Sequence, residues 1–104
     1  MDTNVPEQRE SLMKFDKNRN FDNEAEVYKM LGHPTRLKIV TGLFSEECNV
    51  KHIGECLGLT QAAVSAHLAL LKNKGIITGK RKGIEVHYRV THPLAKQIIA
   101  FMAQ

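Results

Sequence analysis

The chain has 104 residues, enough for one compact domain and too few for two of ordinary size. Its formal net charge of +4 suits a polyanionic partner, and its two cysteines, Cys48 and Cys56, are too few for a secreted disulfide scaffold. No apolar run approaches the length of a membrane span, and the opening Met1-Asp2-Thr3-Asn4 has no apolar signal core, so the expected compartment is the cytoplasm with no membrane partner.

Residues 1–22 are polar and read as an N-terminal arm, partly ordered, ahead of a domain over residues 23–104. Within the arm, Pro6-Glu7 is placed to open a short helix with Leu12, Met13 and Phe15 as a weak apolar stripe. A helix is then expected from about Asn23 to Leu31, capped by Asp22 or Asn23, with Val27, Met30 and Leu31 facing inward and Gly32 ending it. The next begins at His33-Pro34, where proline lacks an amide proton that the helix start would leave unsatisfied. Leu37, Val40 and Phe44 give this helix a buried face, and it should end near Phe44.

Asn49 is a cap for a short third helix with Val50, Ile53 and Leu57 at spacings of three and four, stopped by Gly58. Only Leu59 lies between that stop and the next cap, Thr60. The helix that follows carries Val64, Leu68 and Leu71 on its core face and ends at Gly75. The period then changes from helix to strand. Ile76 and Ile77 begin a strand, Gly79 to Gly83 reads as a turn holding Lys80, Arg81 and Lys82, and Ile84, Val86 and Tyr88 alternate with Glu85, His87 and Arg89 on the return. A last helix should start near Pro93 and show Leu94, Ile98, Phe101 and Met102 as an apolar face. The expected class is therefore mainly α with a small β-hairpin: a winged helix-turn-helix of about five helices and a two-stranded wing.

That arrangement predicts contact with double-stranded DNA. The outward residues of the helix after Thr60 are Gln61, Ala62, Ser65 and Ala69, all small or amide-bearing, where solvent-facing helices usually carry Glu and Lys. A slim face with hydrogen-bonding tips is what a major groove admits: Gln61 suits an adenine edge, Ala62 a thymine methyl, and Ser65 a base or a phosphate. Thr60 opens this helix, His67 on its flank is placed to reach a phosphate, and Lys72 and Lys74 add positive charge at its end. Lys80, Arg81 and Lys82 at the hairpin tip would neutralise phosphates or enter a minor groove. The competing reading is a merely solvated face on a small helical fold. No nucleophile–base pair, phosphate loop or paired catalytic carboxylates suggest an enzyme. A protein-interaction module would be expected to show large apolar residues on this outer face instead of alanines.

Three segments resemble the ArsR/SmtB winged-helix repressors, in the same order as in that family: Lys29 to Val40 (KMLGHPTRLKIV), Leu59 to Leu71 (LTQAAVSAHLALL), and the wing pieces Gly75-Ile76-Ile77 and Gly83 to Tyr88. The resemblance spans roughly residues 24–102. It implies a homodimer built from the first and last helices, an operator with inverted repeats, and repression relieved by an inducer. Leu94, Ile98, Phe101 and Met102 would then pack across a two-fold axis and set two recognition helices about one DNA turn apart.

The inducer is open. Where the family's metal-binding members carry ligand cysteines in the third helix, this chain has Asn49 and Lys51, and Leu94 to Gln104 contains no Asp, Glu, His or Cys for the second family site. No resident metal or cofactor is predicted. Cys48 and Cys56 form a candidate redox pair. Eight residues of helix span about 12 Å, whereas a disulfide needs Cα atoms within about 7 Å, so joining them would unravel the helix start. The plain alternative is that Cys56 is a core residue and Cys48 partly exposed. A third alternative is a metal site of Cys48, His52 and Cys56, although these are spread along the helix. His33 is expected to make a local structural bond, and His87 and His92 to be surface residues.

Overall fold

The computed structural model describes residues 14–104. The expected Pro6-Glu7 helix and most of the arm lie outside the described residues. The elements are α1 (Asp22–Leu31), α2 (Pro34–Ser45), α3 (Val50–Leu57), α4 (Gln61–Asn73), β1 (Ile77–Lys82), β2 (Glu85–Val90) and α5 (Pro93–Met102), so the winged helix-turn-helix stands as five helices plus an antiparallel hairpin.

The helices after α1 each start where the sequence supplies an acceptor. Asn49 Oδ1 accepts from the His52 amide at 2.8 Å, and Thr60 Oγ1 from the Ala63 amide at 3.1 Å. Two His-Pro pairs repeat one device: His33 Nδ1 accepts from the Thr35 amide at 3.1 Å and His92 Nδ1 from the Leu94 amide at 3.2 Å, each with proline in the first turn. His92 is thus a half-buried cap, not a free surface residue. The start of α1 differs from expectation. Neither Asp22 nor Asn23 caps it; Phe21 stands at the cap position without a side-chain bond, and Asn20 Oδ1 accepts from the Asp22 amide at 2.7 Å one step earlier.

The core gathers one stripe from every element: Val27, Met30 and Leu31 of α1, Ile39, Val40 and Leu43 of α2, Ile53 of α3, Val64, Leu68 and Leu71 of α4, Val90 of β2 and Ala95 and Ile99 of α5, together with Ile76 and Ile77 where the wing begins. The helix α1 lies against α2 and α5, α3 against α4, and β2 against α2. Arg36 Nε donates to the Met30 carbonyl at 2.8 Å, tying the end of α1 to the start of α2.

The hairpin is longer and tighter than the sequence suggested. Registry runs from Ile77 opposite Val90 to Lys82 opposite Glu85, leaving a loop of only Gly83 and Ile84. Gly83 has φ of 66°, the positive value that two-residue hairpin loops require and that glycine adopts without a Cβ clash. Lys80, Arg81 and Lys82 therefore belong to β1, not to a turn. The tip is Ile84, which is 96% exposed and leaves the return strand it was expected to join. Farther in, Tyr88 bonds a third piece of chain. Cys48 N donates to Tyr88 O at 3.2 Å and Tyr88 N to Cys48 O at 2.8 Å, so the segment before α3 is stitched to the wing.

Candidate nucleic-acid interface

The turn between α3 and α4 is set by two glycines. Gly58 caps α3 in the left-handed region at φ of 68°, and the Leu59 amide returns to the Gly54 carbonyl at 2.9 Å. Gly54 is buried where a Cβ would stand 2.8 Å from the Leu59 carbonyl oxygen, so only glycine lets the chain fold this closely over α3. The result fixes α4 across α3, with Val64, Leu68 and Leu71 buried beneath it.

Thr60, Gln61, Ala62, Ser65, Ala66 and Ala69 are all exposed, a slim band of the kind the sequence predicted. Leu70, 45% exposed, is the large apolar residue left open on this helix. Lys72, Lys80, Arg81 and Lys82 are also exposed. Two of the cations nearby are partnered: Lys82 Nζ bonds the Glu47 carboxylate, and Lys74 lies 3.3 Å from Glu26. The bond from Lys82, followed by its charge, holds the Glu47 carboxyl below its ordinary value.

The structure places His67 half-buried on the flank of α4. Its ring lies 4.9 Å from that of His33, and its Nδ1 is buried with no hydrogen-bond partner among the described residues, so this nitrogen faces protein and not a phosphate. Burial, then the nearby His33 and Arg36, push its pKa down and favour the neutral ring. His87 also differs from a free surface histidine: it is half-buried, with Nε2 3.0 Å from Glu85 Oε1.

Sequence reading passed over Lys51 except as a poor metal ligand. It is exposed in the first turn of α3, and with Gln61 it borders two shallow hollows: one at the helix-turn-helix corner with Gly58 and Thr60, the other running to Ile84 and Glu85 of the wing. The signal was available, since a cation at the start of the first helix of such a pair faces the same side as the opening of the second.

Cys48 is partly exposed as the plain alternative expected, whereas Cys56 is exposed and not a core residue. Cys56 stands in the last turn of α3, and Cys48 is held beside the wing by its backbone bonds to Tyr88. Burial, then the charges of neighbouring acidic groups and Cys56, raise the Cys48 thiol pKa. Cys56 Sγ is 3.5 Å from His52 Nε2, and Cys48 Sγ is 3.5 Å from the Glu46 carbonyl oxygen. Among the described residues no group of three His, Cys, Asp or Glu side chains could hold a metal ion, so Cys48, His52 and Cys56 do not make the ligand set weighed above.

On α5, Leu94 and Ile98 are half-buried against the monomer's own core, whereas Phe101 and Met102 are 74% and 51% exposed. Tyr28 of α1, 58% exposed, is a further large side chain left open, one the sequence reading did not single out. Among the described residues no helix is long and apolar enough to cross a membrane.

A helix-turn-helix whose second helix is slim outside, flanked by a cation-bearing ribbon, defines a DNA-binding regulator of the winged-helix class. The family model for bacterial regulatory proteins of the arsR family matches residues 33–78. The transcriptional repressor PagR of Bacillus anthracis is 34% identical over 84 residues, covering 80% of this chain and 84% of that one. Its crystal structure superposes with a TM-score of 0.73 at 35% identity, over 79% of this chain and 94% of PagR. HlyU from Vibrio cholerae gives a TM-score of 0.77 at 26% identity, covering 85% and 94%. A homodimeric winged helix-turn-helix DNA-binding domain from Mycobacterium bovis, described as a possible ArsR-family regulator, gives 0.73 at 26%, covering 86% and 87%. The chain belongs to the arsR family of bacterial regulatory proteins. It is a DNA-binding transcriptional regulator and not an enzyme.

Proposed function

We propose that this protein is a homodimeric repressor that occupies an inverted-repeat operator and leaves it in response to an inducer. The observation that carries the reading is the exposed band Gln61, Ala62 and Ser65 on α4, set beside the cations of β1. Gln61 and Ser65 are the side chains with donors and acceptors for base edges, and Ala62 has the size to meet a thymine methyl. Lys51, Lys72, Lys80 and Arg81 serve phosphates, with Thr60 holding the helix start. Residues 23–104 act as one DNA-binding and dimerisation domain, and residues 1–22 as its arm. The open Phe101, Met102 and Tyr28 support a second copy packing against α1 and α5, as does the homodimeric relative. Action on chromosomal DNA agrees with a cytoplasmic location.

The test is selection of bound duplexes from sheared genomic DNA, followed by titration of the selected sequence at several salt concentrations. A palindromic site and a steep negative salt slope are expected. A monomeric protein that binds no duplex at low ionic strength would end this reading.

A further inference from the structure

The wing ends in one large apolar side chain. Ile84 is 96% exposed, the most open large apolar residue among those described. It shares its two-residue loop with Gly83, so the tip presents a single side chain. That tip adjoins the DNA-reading helix: Ile84 borders the same hollow as Gln61 of α4 and Lys51 of α3. The strand leading to it carries the exposed cations Lys80 and Arg81. The acid beside the tip, Glu85, is engaged on the ribbon itself, with Oε1 3.0 Å from His87 Nε2.

We infer that Ile84 is an apolar wedge that enters the minor groove next to the α4 site and kinks the operator at a base step. This rests on the DNA-binding reading above and deepens it. A major groove, about 12 Å wide, is filled by one helix. With α4 in place, the ribbon tip falls beyond the phosphate strand that bounds that groove, over a minor groove about 6 Å wide. A slot of that width admits a side chain and not a pair of strands. The Gly83–Ile84 tip has the matching shape, because glycine adds no bulk beside the isoleucine. Sugar walls and base edges give Ile84 the apolar cover it lacks in the free protein. Lys80 and Arg81, on opposite faces of β1, are placed for the phosphates on the two rims.

An aliphatic side chain pressed into a minor groove parts adjacent base pairs and bends the duplex toward the major groove. The cost is lowest at pyrimidine–purine steps, which unstack easily. The expected sequence mark is therefore a TA or CA step at a fixed distance outside each Gln61 contact. Ile84 selects that step by its deformability, with no hydrogen bond to a base.

The experiment compares the full-length protein with Ile84→Ser, Arg81→Ala and Ile84→Trp on duplexes selected by the unaltered protein. Bending is read by energy transfer between dyes at the duplex ends, and affinity by titration at several salt concentrations. The unaltered protein should bend the duplex by about 20° or more in each half-site. Ile84→Ser should lose most of the bend and about tenfold in affinity, with the salt slope unchanged. Arg81→Ala should keep the bend and lower the slope by about one unit. The chain has no tryptophan, so Ile84→Trp carries a single reporter, whose emission should be quenched by stacking when duplex is added. Replacing the flexible step by a stiff A-tract should weaken the unaltered protein and leave Ile84→Ser indifferent. Equal affinity and bending in Ile84→Ser, tryptophan emission unmoved by saturating duplex, or loss of self-association in Ile84→Ser without DNA would each overturn the proposal. The last would make the tip a protein contact. If the unaltered protein selects no duplex, the repressor reading and the wedge fail together, whereas tight binding to a straight duplex removes the wedge alone.

Discussion

Lys82, the last residue of the first wing strand, is bound by Glu47, which lies just before α3. The partner of a potential phosphate contact is thus already in place on the protein. A phosphate must displace Glu47 to use this lysine, so the carboxylate tempers affinity. Glu47→Gln should tighten DNA binding a few-fold and steepen the salt slope by about one unit, as titrations at several ionic strengths would show. The pH sign follows from the lowered Glu47 pKa: the pair's contribution is complete above pH 4.5 and is lost as the pH falls through the lower, folded-state value.

Base-reading and phosphate-binding residues should separate on substitution. Gln61→Ala is expected to relax preference at one position of each half-site, worth about 1–3 kcal/mol of discrimination. Arg81→Ala should instead weaken all duplexes alike and lower the salt slope by about one unit. Binding to a panel of single-base operator variants distinguishes the two.

The burial of His67, with His33 and Arg36 beside it, predicts an acid-sensitive fold. Because the folded-state pKa of His67 is lowered from 6.5, the unfolded chain takes up the proton first as the pH drops. This site's stability is full above pH 6.5 and declines as the pH falls towards the folded-state value. In His67→Gln the dependence of the denaturation midpoint on pH should be flatter through that window.

Gly54→Ala should cost about 2 kcal/mol, since the new methyl meets the Leu59 backbone oxygen and α3 must shift away from α4. Chemical denaturation with an unchanged slope measures the loss. DNA binding should fall further than the loss of folded protein explains, because the angle between the two helices changes with it.

Phe101→Ser, at a position 74% exposed in the single chain, should leave the monomer fold intact and weaken self-association. Sedimentation over a range of concentrations should show dissociation, and the melting temperature should lose its concentration dependence.

The helices were legible in the sequence because caps and apolar periods agreed: Asn49 and Thr60 both start helices, and Val64, Leu68 and Leu71 are all inside. The slim face of α4 was legible for the same reason, being what remains once the buried stripe is removed. The wing was harder. Five residues from Gly79 to Gly83 resemble a loop by composition, yet Gly79 is a strand residue, where the Tyr88 ring lies so close that a Cβ would stand 3.0 Å from its edge. That contact is made across the sheet, and no local pattern announces it. The surroundings of Cys48 and His67 were not legible for a related cause, since they come from Tyr88 and His33, distant in sequence.

Because Gly83 and Ile84 alone join the wing strands, the wing is a ribbon that behaves as a ruler and not as a flexible arm. Side chains alternate along it, so Lys80 and Lys82 look one way and Arg81 the other. One residue inserted between Gly79 and Lys80 would exchange those faces without altering composition or charge. On the proposed reading, the spacing between the groove that α4 would enter and the one the ribbon would reach is therefore written into strand registry, and drift in that count would retune which DNA geometries the protein accepts.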